Sequence, residues 1–154
     1  MNLADYLIDQ DGKDWEALLS EWPIPESFIL WMVNRFGDLF MVYGDGSVHM
    51  LDVGNGIFSR LANSQDQFVE LLDVGDNADK WLMIGFVNAC VAAGIQLSSD
   101  ECYGYKMPPV LGGTYDVANV VPTDLSLHYS FLADIYAQTK DLPDGAKMRV
   151  VIRN

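Results

Sequence analysis

Asp38–Ala62 reads DLFMVYGDGSVHMLDVGNGIFSRLA. Three short apolar runs are separated by Gly44-Asp45-Gly46 and Gly54-Asn55-Gly56. Asp-Gly and Asn-Gly pairs tolerate positive φ, and the tight turns they form match the twist of the flanking strands. The stretch therefore predicts a three-stranded antiparallel meander with strands at Asp38–Tyr43, Ser47–Val53 and Ile57–Ala62.

Helical signals lie on both sides. Upstream, residues 3–8 offer one helical turn carrying Leu3, Tyr6 and Leu7. Asp14 can cap a helix with Trp15, Leu18, Leu19 and Trp22 at helical spacing, and Pro23 ends it. Pro25 suits the first turn of a further helix, Glu26–Phe36, with Gly37 as its stop. Residues 1–35 thus read as a short helical region. Downstream, Ser64 and Gln67 form a capping box opening a helix with Phe68, Leu71 and Leu72. Asp76 or Asn77 then caps a longer helix running to Ala93, apolar almost all round, which predicts a place at the centre of the core.

Residues 98–116 contain two prolines and three glycines, which exclude a regular helix and point to an ordered loop or irregular edge strand. Val117–Val121 reads as a strand. Thr123 can cap a helix to about Gln138 with Leu125, Tyr129, Leu132, Ile135 and Tyr136 as its stripe. Leu142-Pro143-Asp144-Gly145 reads as a turn, and Met148–Ile152 as a closing strand. With no linker or repeat in 154 residues, the expected organisation is one α+β domain over 1–154: an antiparallel sheet, the 38–62 meander plus later strands, with helices packed on it.

Half of the residues are hydrophobic, enough for a sizeable core. The 22 acidic and 9 basic residues give a formal net charge of -13. Such a field repels nucleic acid and anionic membrane surfaces and speeds encounter with a basic protein partner. The surplus is uneven. Residues 1–26 hold seven acids against Lys13, and residues 62–80 hold five against Lys80. The start, MNLADYLIDQ, lacks a basic segment and a long apolar run, so it does not read as a signal peptide. The apolar stretch Trp81–Ala93 is shorter than the roughly 18 residues a membrane span needs. These features read as a cytoplasmic protein with reduced thiols.

Catalytic chemistry finds little support. Cys90 and Cys102 belong to no C-x-x-C pair, and His49 and His128 have no partner at metal-ligand spacing. Asp73–Asp79 is rich in carboxylates but lacks the glycine and terminal glutamate of a calcium loop. Gly54-Asn55-Gly56 precedes a strand, where no helix N-terminus can hold a phosphate. The sequence therefore predicts no catalytic residues, no metal and no cofactor: a binding protein, not an enzyme. Two stretches suit contact with a partner. One is Asp14, Trp15, Glu16, Glu21 and Trp22, where acids alternate with aromatic anchors. The other is CYGYKMPPVLGGTY at 102–115, which offers Tyr103, Tyr105 and Lys106 on a segment stiffened by proline. Both also suit plain packing, the tryptophans in the N-terminal core and the loop against the sheet. A small-ligand-binding regulatory domain, with a pocket floored by Tyr103, Tyr105 and Lys106, and an enzyme of unrecognised class remain the alternatives.

Four segments together resemble one bacterial family: FGDLFMVYGDGSVHMLDVGNGIFSRLA at 36–62, NADKWLMIGFVNACVAAG at 77–94, CYGYKMPPVLGGTY at 102–115 and TDLSLHYSFLADIYAQTKDLPDG at 123–145. It is the C-terminal domain of the immunity protein that accompanies a type VI secretion DNase effector, with Smi1/Knr4-like immunity proteins more distant. CYGYK-x-PPVLGG and KDLPDG are the most specific parts, and the likeness spans roughly residues 36–147 as an immunity-type domain. It implies binding and neutralisation of a secreted, nuclease-like toxin encoded nearby. Longer relatives carry an acid-rich, GAD-like region in front, where this chain has about 35 residues. The resemblance brings no catalytic residues with it.

Overall fold

The structure, a computed structural model, describes residues 2–142. The predicted meander is present as β2 (Leu39–Tyr43), β3 (Val48–Asp52) and β4 (Ile57–Ala62). They pair antiparallel in sequence order, with Leu39 opposite Leu51 and Phe40 opposite Met50. Gly46 and Gly56 hold the positive φ that the two turns require. The closing strand predicted at 148–152, and all but the first residue of the turn before it, lie outside the described residues.

The sheet gains a fourth strand that the sequence disguised. Glu26–Phe36 is not a helix: Phe28–Val33 forms β1, paired antiparallel with β2 and bulged between Leu30 and Met32. A short apolar run bracketed by Pro25 and Gly37 satisfies helix and strand alike. What decides is the turn after it, where Asn34 N donates to Asp38 O and folds the chain into a hairpin.

Both faces of the sheet are covered, which is why β2 is apolar without alternation. One face presents Leu39, Met41, Leu51 and Val53 to Tyr129, Leu132 and Ala133 of α5 (Leu125–Thr139) and to residues beside α1 (Trp15–Leu18). The other presents Phe40, Val48 and Met50 to Phe68 of α2 (Gln65–Leu72) and to Trp81 and Leu82 of α3 (Asn77–Leu82). Ser64 caps α2 as expected, accepting from Gln67 N, but the Gln67 side chain reaches back to Asn63 N, one residue before the cap.

The long helix predicted to Ala93 breaks at Met83, which adopts the left-handed conformation with φ 54°. It resumes as α4 (Ile84–Ala92), whose Gly85 N is accepted by Asp79 Oδ1 at 2.7 Å. The break also corrects the expectation that this segment is central. Val87 and Cys90 point inward, while Val91 is 62% exposed and Gly85, Asn88 and Ala89 face water. The helix at the centre is α5.

Residues 101–124 carry β5 (Glu101–Tyr105) and β6 (Val120–Asp124), an antiparallel pair. The strand expected at 117–121 is therefore shifted towards the C-terminus, and Asp124 caps α5 in place of Thr123. Between the strands, Asn119 holds the loop shut: Oδ1 accepts from Met107 N, and Nδ2 donates to the carbonyls of Met107 and Thr114. Gly113 has no room for a side chain, because a Cβ there would sit on the Met107 carbonyl. Gly113→Ala should cost about 1–3 kcal/mol, since backbone cannot yield as a flexible side chain does. A lower urea midpoint at unchanged slope checks this.

The β1–β2 turn is the polar hub. Buried Asn34 accepts from the amides of Phe36 and Asp38 and donates to Asp38 Oδ2 and to the Trp81 carbonyl. The carbonyls of Arg35, Phe36 and Gly37 accept from Tyr103 N, His128 Nε2 and the Tyr129 hydroxyl, at 2.8, 2.9 and 2.8 Å. Burial, with Asp52 nearby, pushes the Asp38 carboxyl well above the usual carboxylate range, although Asn34 and Val53 N hydrogen-bond to it.

Candidate partner-binding surface

Asp14 begins α1 by accepting from Ala17 N through Oδ1 at 3.1 Å. That short helix and the start of β1 frame a groove of about 410 Å³ lined by Trp15, Glu16, Leu19, Trp22, Ile24, Phe28 and Leu30. Trp15 lies half-buried, its indole N–H donating to the Gln10 carbonyl and its ring edge-on to Tyr129 at 6.2 Å. Trp22 is only 5% exposed. Its N–H donates to the Tyr129 carbonyl, and its ring lies against Tyr136 at 5.2 Å. Trp22 is thus floor, not a projecting anchor, and Trp15 is the indole closer to solvent. Glu16 is the one charged residue lining the groove, and Glu21 and Glu26 are exposed on the segment between α1 and β1. Ile29, the β1 residue between two groove residues, is 72% exposed.

The second set lies elsewhere. Tyr103 is 3% exposed and packs on Phe36 at 5.2 Å. It lines a cavity of about 590 Å³ together with Tyr6, Arg35 and Val87. Tyr105 is half-buried, stacked on Phe36 at 5.6 Å, and lines a cavity of about 170 Å³ beside α5. Burial first, and Asp38 and Asp52 next, push its phenol far above the ordinary value. Lys106 is exposed and lines neither cavity; its backbone N donates to the Asn119 carbonyl. The three residues therefore do not floor a common pocket. Of the N-terminal set, Trp15, Glu16 and Trp22 share one groove, while the loop residues serve the core and its edges.

The nearest approach to a nucleophilic arrangement is Asp45, Ser47 and His49. Ser47 Oγ donates to Asp45 Oδ1 and lies 2.9 Å from His49 Nε2. The order is wrong for acyl transfer, where the histidine must accept the serine proton and the carboxylate must orient the histidine. Here the hydroxyl proton is committed to Asp45, so His49 donates to the oxygen. Both cysteines are free and buried. Burial pushes both thiols up, and Asp38 adds to it at Cys102, so neither is a ready thiolate.

Among the described residues, no group of three or more His, Cys, Asp or Glu side chains is placed to hold a metal ion. No described helix is long and apolar enough to cross a membrane. One ion pair forms among the described residues, the exposed Arg60–Asp45 contact at 3.7 Å, so little of the acidic surplus is neutralised in place.

Residues 62–136 match a family model described as T6SS immunity protein Tdi1, C-terminal. No curated protein matches the chain. The matched segment begins at the last residue of β4 and takes in α2, α3, α4, β5, β6 and most of α5. It lies within the 36–147 span that the motifs suggested, and it leaves the α1–β1 groove outside.

Proposed function

We propose, from the match of residues 62–136 to the model of the Tdi1 C-terminal immunity family, that the chain binds and neutralises a secreted toxin by stoichiometric contact in the cytoplasm. The toxin on this reading is nuclease-like and basic. An enzyme that cuts nucleic acid presents a cationic groove to phosphates, and an inhibitor covering it does best with opposed carboxylates. The observation supporting a basic partner is the apolar groove of α1 and β1, lined by Trp15, Leu19 and Trp22 with Glu16 among them, and the exposed Asp14 and Glu21 on the same segment of chain. Carboxylates would steer the encounter, and Trp15 and Ile29 would give it apolar area.

The test is binding to the product of a neighbouring toxin gene at low and moderate salt. Asp14→Asn, Glu16→Gln and Glu21→Gln together keep the helix cap, since asparagine caps as well as aspartate. The triple variant should associate about three- to tenfold more slowly at low salt, with a weaker salt dependence and little change in dissociation. An unchanged association rate removes the basic-partner reading, and no binding to any neighbour-encoded protein removes the immunity reading.

A further inference from the structure

β1 is an outermost strand of the four-stranded sheet. Which of its main-chain groups lie on the outer edge follows from the register. Tyr43 N donates to Ser47 O, so the odd-numbered residues of β2 bond to β3. Asn34 N donates to Asp38 O, so the even-numbered residues bond to β1. Phe28 and Leu30 stand opposite Tyr43 and Met41, and therefore turn their N–H and C=O groups away from the sheet. Ile29, opposite Val42, is spent on β2. Further along the same edge the chain covers itself: Ile8 N donates to the Val33 carbonyl, and Gln10 Nε2 to the Trp31 carbonyl. Among the described residues no such bond is made to Phe28 or Leu30. The open edge is short, bounded by the Gln10 contact on one side and by Pro25, which has no N–H, on the other.

An open edge with apolar flanks is a template for another strand. The side chains of Phe28 and Leu30 line the groove of about 410 Å³ together with Trp15, Glu16, Leu19 and Trp22. Ile29, between them, is 72% exposed. A strand laid along this edge drops alternate side chains into the groove, which asks for apolar residues at those positions. Charge selects the source. From Asp14 to Asn34 the chain carries Asp14, Glu16, Glu21 and Glu26 and no lysine, arginine or histidine. A second copy would set these acids against themselves, whereas a basic segment meets opposite charge. β4, the other edge of the sheet, carries Arg60, the wrong sign for the same segment. We propose that the toxin adds a short extended segment to β1, its main chain bonded to Phe28 and Leu30, with apolar side chains in the groove alternating with lysine or arginine. That the strand comes from the toxin rests on the immunity reading; that the edge takes a basic strand rests on register and charge.

Three measurements on the whole protein test this. Amide hydrogen exchange in the free protein should find Phe28 and Leu30 fast and Ile29 protected. Protection of Phe28 and Leu30 at every protein concentration would mean that residues 143–154 cover the edge, and protection that grows with concentration would mean a second copy; either result overturns the proposal. The second probe is a capped peptide of alternating lysine and valine, with its backbone nitrogens free or methylated. Saturable NMR shifts of the Phe28 and Leu30 amides, with affinity about tenfold lower after methylation, support strand pairing, since one hydrogen bond of average strength is worth about that factor. No shift at these amides, or equal affinity for the two peptides, overturns it, and this measurement needs no variant of the protein. In the third, Phe28→Pro removes the outward N–H at the first residue of the strand, a place that accepts proline, and Phe28→Ala controls for the lost ring. A neighbour-encoded toxin that binds the wild type should leave the proline variant about tenfold faster than the alanine variant. Equal dissociation from the two overturns the toxin as the source of the strand. A toxin that does not bind the wild type overturns the immunity reading and that source with it, while the peptide result still decides whether the edge takes a basic strand.

Discussion

Phe36→Ala should lower the stability of the folded chain by about 3–5 kcal/mol, a large part of what a domain of this size has. Phe36 is fully buried in the turn between β1 and β2. Its ring meets Phe86 at 4.7 Å, Tyr103 at 5.2 Å and Tyr105 at 5.6 Å, so one truncation removes three aromatic contacts from α4 and β5. Phe86, by contrast, is half-buried on a helix with an exposed flank, and Phe86→Ala should cost about 1–2 kcal/mol. Urea denaturation of both variants orders the two residues. A larger loss at Phe86 would restore the Trp81–Ala93 segment to the centre that its composition suggested.

Lowering the pH from about 6.5 to 4 should remove about 3 kcal/mol of stability through His128 alone. Burial depresses the folded-state value to about 4 from an ordinary 6.5. Between those limits the unfolded chain takes up a proton that the folded chain refuses. The stabilising contribution is therefore complete above 6.5 and is lost as pH falls towards 4. Asp38 works the other way. Its raised folded-state value favours the fold at low pH, and that contribution is lost as pH rises through it. Comparison with His128→Gln isolates the histidine, because Asp38 is common to both and glutamine can still donate to the Phe36 carbonyl. The variant should show a flatter decline between pH 6.5 and 4 by a similar amount, read from urea midpoints at each pH. Parallel profiles would mean that His128 protonates freely in the folded chain.

The parts of the fold legible in sequence are those fixed by local chemistry. Gly46 and Gly56 set the hairpins, Asp14 and Ser64 accept the first free amides of α1 and α2, and the stripe of α5 faces the sheet as its spacing says. The misread elements are those decided at a distance. Phe28–Val33 is a strand because β2 offers it a partner, and nothing inside the run excludes a helix. Met83 carries no glycine or proline to announce a break; the bend is set by contacts made elsewhere, where Asn34 takes the Trp81 carbonyl and Asp79 receives the Gly85 amide. In the candidate site, the depth of Trp22 was not legible, because its partners Tyr129 and Tyr136 lie more than a hundred residues on.

The turn at 35–37 also sets an order of events during synthesis. The meander can close as soon as it leaves the ribosome, because its pairings are local. The carbonyls of Phe36 and Gly37 must wait for side chains 92 residues further along. Until α5 emerges and docks, those carbonyls stay hydrated and the sheet face carrying Leu39, Met41 and Leu51 is bare. The nascent chain thus passes through a stage in which a formed sheet shows an apolar face to its surroundings, and that interval is its period of greatest exposure to aggregation and to chaperones.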